Sequence, residues 1–198
     1  MIRAFFGGSF DPIHAGHVAI VELLFARGLA DRVHVVPAGH SPLKRRAAAA
    51  PALVRLQLVE LALAGVPQVE ICADEVCREG RSYTVDTLTD LVARHPDARW
   101  RLVIGADQAA TFAHWHQPQR LLALAEPVVV ARGRVTLDPL LDDRALVIAD
   151  FAHPASATGI RRALAAGRMP GPELLPPAVA VRIRTDGLYG FPAGAAPA

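Results

Sequence analysis

The chain has 198 residues, 52% of them hydrophobic, which is enough to bury a sizeable core and favours one domain over two. Lys and Arg number 21 against 19 Asp and Glu, so the formal net charge of +2 gives no ground for a nucleic-acid or anionic-membrane partner and leaves a small anion open. Cys72 and Cys77 are the only cysteines and lack a second Cys or His pair at finger spacing, so free thiols are expected rather than a structural zinc site.

In chain order, the first strand is predicted over Ile2–Phe6, followed by "GGSFDPIHAGHVAIVELL" at 7–24, where Val18, Val21, Leu24 and Phe25 share one face of a helix. A strand over Arg32–Val36 leads into "PAGHSPLKRRAAAAPA" (37–52), which is long for a connection and reads either as a closing lid or as a surface loop. Leu53, Leu56, Val59 and Leu63 then mark one face of a second helix, and Val69–Cys72 a third strand. Further helices are predicted over Val85–Ala93, around Pro118–Ala123, over Gly159–Ala166 and over Ala178–Arg184, with strands over Arg101–Ile104, Pro127–Ala131 and Ala145–Ile148. Short apolar strands alternating with helices point to an α/β fold, a doubly wound parallel sheet whose ligand sits at the carboxyl ends of the strands. Residues 1–190 are expected to form the single domain, with a C-terminal helical part from about 156, and 191–198 a disordered tail.

The stretch at 7–24 carries the most chemistry. Gly7 and Gly8 let the backbone turn and approach a ligand with no Cβ in the way, and Asp11 with Pro12 reads as a helix entrance. A helix N-terminus presents unpaired N–H groups and a positive dipole end that suit phosphate. His14 and His17, three apart, would project there from nearly one face, each able to donate a ring N–H. The same spacing also serves metal ligands, with no third ligand nearby in sequence, or ordinary surface histidines. Neither the P-loop pattern nor G-x-G-x-x-G is present.

"GGSFDPIHAGH" resembles the nucleotide-binding signature of the H-x-G-H nucleotidyltransferase superfamily. With "SYTVDTL" (82–88), "IGADQ" and "WHQ" (104–117), "SATGIRRAL" (156–164) and "LLPPAVAVRIRTDGLY" (174–189) in order, the chain resembles the bacterial nicotinate mononucleotide adenylyltransferase family over nearly its full length. The resemblance implies a Rossmann-like fold and transfer of AMP from ATP to nicotinate mononucleotide, giving nicotinate adenine dinucleotide and pyrophosphate on the way to NAD. It further implies that Gly8, Ser9, Phe10, His14, His17, Ser156, Thr158 and Arg161 hold ATP, with His14, His17 and Arg161 acting in the reaction and His17 stabilising the transition state. Lys44, Thr84, Asp107 and Trp115 would hold the pyridine nucleotide. Backbone amides near Trp115 and His116 would suit the nicotinate carboxylate.

Asp107 serves equally as a helix N-cap, Trp115 as core packing, Ser156 as a simple cap and Lys44 as part of a solvated cluster with Arg45 and Arg46. Leu43 and Ala157 depart from the family pattern, which usually has His and Ser there. Magnesium is expected on the ATP phosphates, with no metal held by the protein. The start of the chain lacks the long apolar region and cleavage site of a signal peptide, and no run is long enough to span a bilayer; a cytoplasmic enzyme is expected, with ATP and nicotinate mononucleotide as partners. The rival readings are a phosphopantetheine adenylyltransferase and a non-catalytic nucleotide sensor.

Overall fold

Short runs of Val, Ile, Leu and Phe in this chain are strands, and the central ones are buried on both faces. In the structure, a computed structural model that describes residues 1–39 and 48–194, β1 (Ile2–Gly8), β2 (Arg32–Pro37), β3 (Val69–Ile71), β4 (Arg99–Gly105), β5 (Glu126–Val130) and β6 (Leu146–Ile148) pair in parallel. They form one 6-stranded sheet in the order β3-β2-β1-β4-β5-β6. The order reverses between β1 and β4, so the helices that follow these two strands leave on opposite faces and open a crevice between them.

The helices are α1 (Ala15–Ala26), α2 (Ala52–Leu63), α3 (Asp74–Cys77), α4 (Thr84–Arg94), α5 (Ala106–Ala109), α6 (Pro118–Leu124), α7 (Ala157–Ala165) and α8 (Pro177–Asp186). Because strand side chains alternate, β1 sends Ala4 and Phe6 to one core and Phe5 to the other; β5 divides Val128 and Val130 from Val129 in the same way. The first core is closed by Val21, Leu24, Leu58, Val59, Ile160, Leu164, Val179 and Ile183 from α1, α2, α7 and α8. The second is closed by Val85, Leu88 and Leu91 of α4 and Leu121 of α6.

Three sequence expectations shift. Phe191, expected in the tail, is buried in the first core; residues 195–198 lie outside the described residues. Helices α3 and α5 were not anticipated, for four residues carry no readable period. Asp11 does not cap α1: the helix starts at Ala15 with His14 as N-cap. No helix among the described residues is long and apolar enough to cross a membrane.

Candidate active site

β1 ends on Gly7 and Gly8, where a Cβ would lie 2.7 Å from the Phe5 ring and 3.0 Å from the Phe10 ring, respectively. The chain turns just beyond them: Phe10 takes a left-handed conformation (φ 45) and Asp11–Pro12 is a cis peptide. The Asp11 carboxylate then accepts the Ala49 and Ala50 N–H groups at 2.7 and 3.1 Å. It thereby ties the turn to the segment leading into α2 instead of to α1.

A second tie comes from Arg55, which shares an inward stripe of α2 with Val59 and Leu63 and is 2% exposed. Its guanidinium donates to the carbonyls of Ser9 (2.6 Å), Ala38 (2.7 Å) and Ala50 (3.1 Å). Burial works against its charge and the Asp11 carboxylate favours it. Neither the Asp11 tie nor the Arg55 tie is expected from the sequence. An arginine in an apolar helical stripe was the available signal.

His14 and His17 come together as the spacing suggested. Their rings stack at 3.7 Å between centroids and 21° between planes, and Phe10 meets His17 edge-on at 5.0 Å. His17 Nδ1 accepts the His14 N–H at 3.2 Å, which places the His17 ring proton on Nε2. His14 is 8% exposed, and burial, aided by His153 and Arg132, pushes its pKa down to about 4, so it is a neutral imidazole at pH 7. Its Nδ1 is buried with no hydrogen-bond partner among the described residues.

Helix α7 presents its N-terminus to the same turn. The Ser156 hydroxyl accepts the Gly159 N–H at 3.2 Å, so it is a capping residue, with its own O–H still a donor. Arg161 donates to the Asp11 carbonyl at 2.5 Å and to Thr158 Oγ1 at 3.4 Å, which brings its guanidinium to the α1 turn. Ala157, the departure from the family pattern, is the first residue of α7.

A cavity of about 850 Å³ opens beside this turn, at the carboxyl ends of β1 and β4. Gly8, Ser9, Thr84, Asp107 and Trp115 all line it. Asp107 is exposed in the first turn of α5, whose N-cap is Gly105, so the capping alternative does not hold. Trp115 packs on Phe112 at 5.5 Å between centroids and also borders the cavity; its Nε1 is buried without a hydrogen-bond partner among the described residues. Tyr83 and His116 stand 4.3 Å apart at the same wall. The Trp115 backbone N–H donates to the Phe112 carbonyl, which removes it from the amides expected to meet a carboxylate.

The predicted residues thus fall into two neighbouring groups. Phe10, His14, His17, Ser156, Thr158 and Arg161 gather at the two helix N-termini; the nucleotide-side residues line the cavity, with Gly8 and Ser9 joining the groups. Lys44 and Leu43 lie outside the described residues. Among the described residues, the group of three ligating side chains that converge is His34, Glu70 and His95. It lies toward the amino ends of the strands, and the Arg3 guanidinium already donates to His34 and Glu70. No carboxylate cage for a divalent ion therefore accompanies the helix N-termini among the described residues.

A parallel sheet of this order, with stacked imidazoles at the first helix and a second basic helix N-terminus beside them, defines a nucleotide-handling α/β protein. The chain belongs to the cytidylyltransferase-like family, whose profile matches residues 5–163. Within it, the chain is similar over nearly its whole length to proteins described as probable nicotinate-nucleotide adenylyltransferases. That of Gloeobacter violaceus is 35% identical over 199 residues, covering 96% of this chain and 97% of the relative. That of Roseiflexus sp. is 38% identical over 191 residues, covering 92% and 95%. Among solved structures, Plasmodium falciparum nicotinic acid mononucleotide adenylyltransferase complexed with NaAD superposes with a TM-score of 0.76 over 96% of this chain and 98% of that one, at 16% identity. A putative nicotinate-nucleotide adenylyltransferase from Vibrio parahaemolyticus gives 0.68 over 96% of each, at 21% identity. At such identities the superpositions establish the fold alone.

Proposed function

We propose that the chain is a nucleotidyltransferase that joins AMP from ATP to nicotinate mononucleotide, releasing pyrophosphate and nicotinate adenine dinucleotide for NAD biosynthesis. The observation that carries this reading is the stacked His14–His17 pair at the α1 N-terminus, directly beside a cavity large enough for a nucleotide. Relatives of that description over more than nine-tenths of the chain support it.

The attacking group is an anionic phosphate oxygen, so no strong base is required; in-line placement and charge neutralisation around the α-phosphate suffice. His17 donates from Nε2 to the α-phosphate as negative charge shifts in the transition state. His14, neutral in the ligand-free chain, serves as a hydrogen-bond donor to a phosphate oxygen. Arg161 and the α7 N-terminus, with the Ser156 and Thr158 hydroxyls, take the β- and γ-phosphates. Gly8, Ser9 and Phe10 shape the turn against which the nucleotide lies. On the cavity side Asp107 accepts ribose hydroxyls, Trp115 lies against the pyridine ring and Thr84 contacts the same nucleotide; Lys44 is the cation proposed for substrate phosphate. The backbone N–H groups of His116 and Gln117 have no acceptor among the described residues and suit the nicotinate carboxylate. Magnesium would be held by the ATP phosphates and by waters, as suits a small, strongly hydrated ion.

The test is competition among acceptors with ATP and Mg²⁺. Nicotinate mononucleotide is expected to give dinucleotide fastest, ahead of nicotinamide mononucleotide and phosphopantetheine. Faster adenylylation of phosphopantetheine would replace this reading with a phosphopantetheine adenylyltransferase, and nucleotide binding without turnover would replace it with a nucleotide sensor.

A further inference from the structure

One imidazole near the phosphate end has no role in the reaction described above. His153 stands three residues before the α7 N-cap, its ring nearly parallel to Phe151 (16°). Its Nδ1 accepts the Ala155 N–H at 3.1 Å, which leaves Nε2 as the ring's donor. Gly16, in the first turn of α1, shows where the ring sits: a Cβ there would lie 3.1 Å from His14 Nδ1 and 3.3 Å from His153 Nδ1. Both imidazoles border one small space that only glycine leaves open. The His14 Nδ1 on its edge is buried and unpartnered among the described residues, and such a nitrogen is costly unless a ligand or water completes it.

Arg132 puts a fixed positive charge beside this spot: it disfavours protonating His14, and its guanidinium reaches the Ala155 carbonyl at 3.5 Å. A bound polyanion reverses that balance. Position along the substrate follows from the layout: the cavity takes the acceptor nucleotide, the α1 histidines come next, and the α7 N-terminus, whose residues do not line the cavity, lies beyond. His153 belongs to the α7 side.

We propose that His153 is a further phosphate-binding residue, donating from Nε2 to the pyrophosphate end of ATP, with Arg132 adding charge beside it. This rests on the adenylyl-transfer reading. As the acceptor oxygen bonds to the α-phosphorus, the bond to the bridging oxygen breaks and its electron pair passes to the leaving pyrophosphate. His153 and Arg132 meet that charge without proton transfer.

Steady-state kinetics of the full chain, with H153A and H153Q beside wild type, tests it. Expected for H153A is a rise of roughly tenfold in KM for ATP and in the inhibition constant of pyrophosphate, the effect of losing a hydrogen bond to a charged group. KM for nicotinate mononucleotide should stay within about twofold, and H153Q, whose amide can donate, should recover part of the loss. Unchanged ATP and pyrophosphate constants in H153A, or an equal rise for both substrates, would overturn the proposal. Calorimetric titration with inorganic pyrophosphate reads the contact without turnover. Wild type that binds pyrophosphate yet forms no dinucleotide overturns the functional reading alone; equal affinity in wild type and H153A overturns the role of His153 alone; no binding to wild type overturns both.

Discussion

His14 is the residue whose environment says most about the chemistry. Its pKa of about 4 in the folded chain lies below the unfolded value of 6.5, so between those values the unfolded chain binds more protons. The contribution to stability is therefore complete above about pH 6.5 and is lost as the pH falls toward 4, by up to about 3 kcal/mol. His34, pushed down by burial with partial relief from Glu70, acts in the same direction. Urea midpoints should fall on acidification through this window, and H14Q should blunt the fall; an acid response identical to wild type would show that His14 is not buried neutral. NMR titration should find the His14 pKa moving up when ATP is added, because a polyanion favours the charged ring. Arg55 gives a second residue-level expectation. Arg55→Met leaves the Ser9, Ala38 and Ala50 carbonyls without their donor and should cost about 3 kcal/mol or more in chemical unfolding. The histidine pair was legible because its partners are three residues apart. Asp11 was misread as a cap because its partners at Ala49 and Ala50 are nearly forty residues away, and no local pattern records them.

At the scale of elements, the long helices and all strands followed from hydrophobic period, since each buries a face against a core. Helices α3 and α5 did not, being too short to show a period: α3 is held from α4, where Thr87 donates to Glu75 at 3.1 Å, and α5 is closed locally by Gln108, which accepts the Gly105 N–H at 3.0 Å. These short elements bring Asp107 and the 82–84 turn to one cavity; Asp107 is legible from its place just past a strand end, whereas Thr84 and Trp115 are legible only through family resemblance. The separation of the two groups of residues makes a kinetic prediction. Trp115→Ala should raise KM for nicotinate mononucleotide by roughly tenfold, from lost stacking and burial, with KM for ATP nearly unchanged. Equal effects on both substrates would mean that Trp115 serves the fold through its Phe112 contact and not the ligand.

For the whole molecule, the reversal of strand order between β1 and β4 decides where everything else can lie. It sets α1 and the β4 connection on opposite faces, and so opens the cavity beside the α1 N-terminus. Binding to this crevice should stabilise the entire fold: ATP at about 100 times its Kd adds about 2.7 kcal/mol, seen as a rise of roughly 5 to 10 °C in Tm. The rise should shrink in Arg161→Ala, whose guanidinium joins the α7 N-terminus to the Asp11 carbonyl. The most direct measurement of all is pyrophosphate release from ATP, Mg²⁺ and nicotinate mononucleotide by wild type and H17A, with folding of both checked by circular dichroism. Expected is one dinucleotide per pyrophosphate in wild type and a drop in kcat of roughly 10²- to 10³-fold in H17A, the size of losing one transition-state donor. Folded wild-type protein that releases no pyrophosphate, or an H17A variant as fast as wild type, would contradict it.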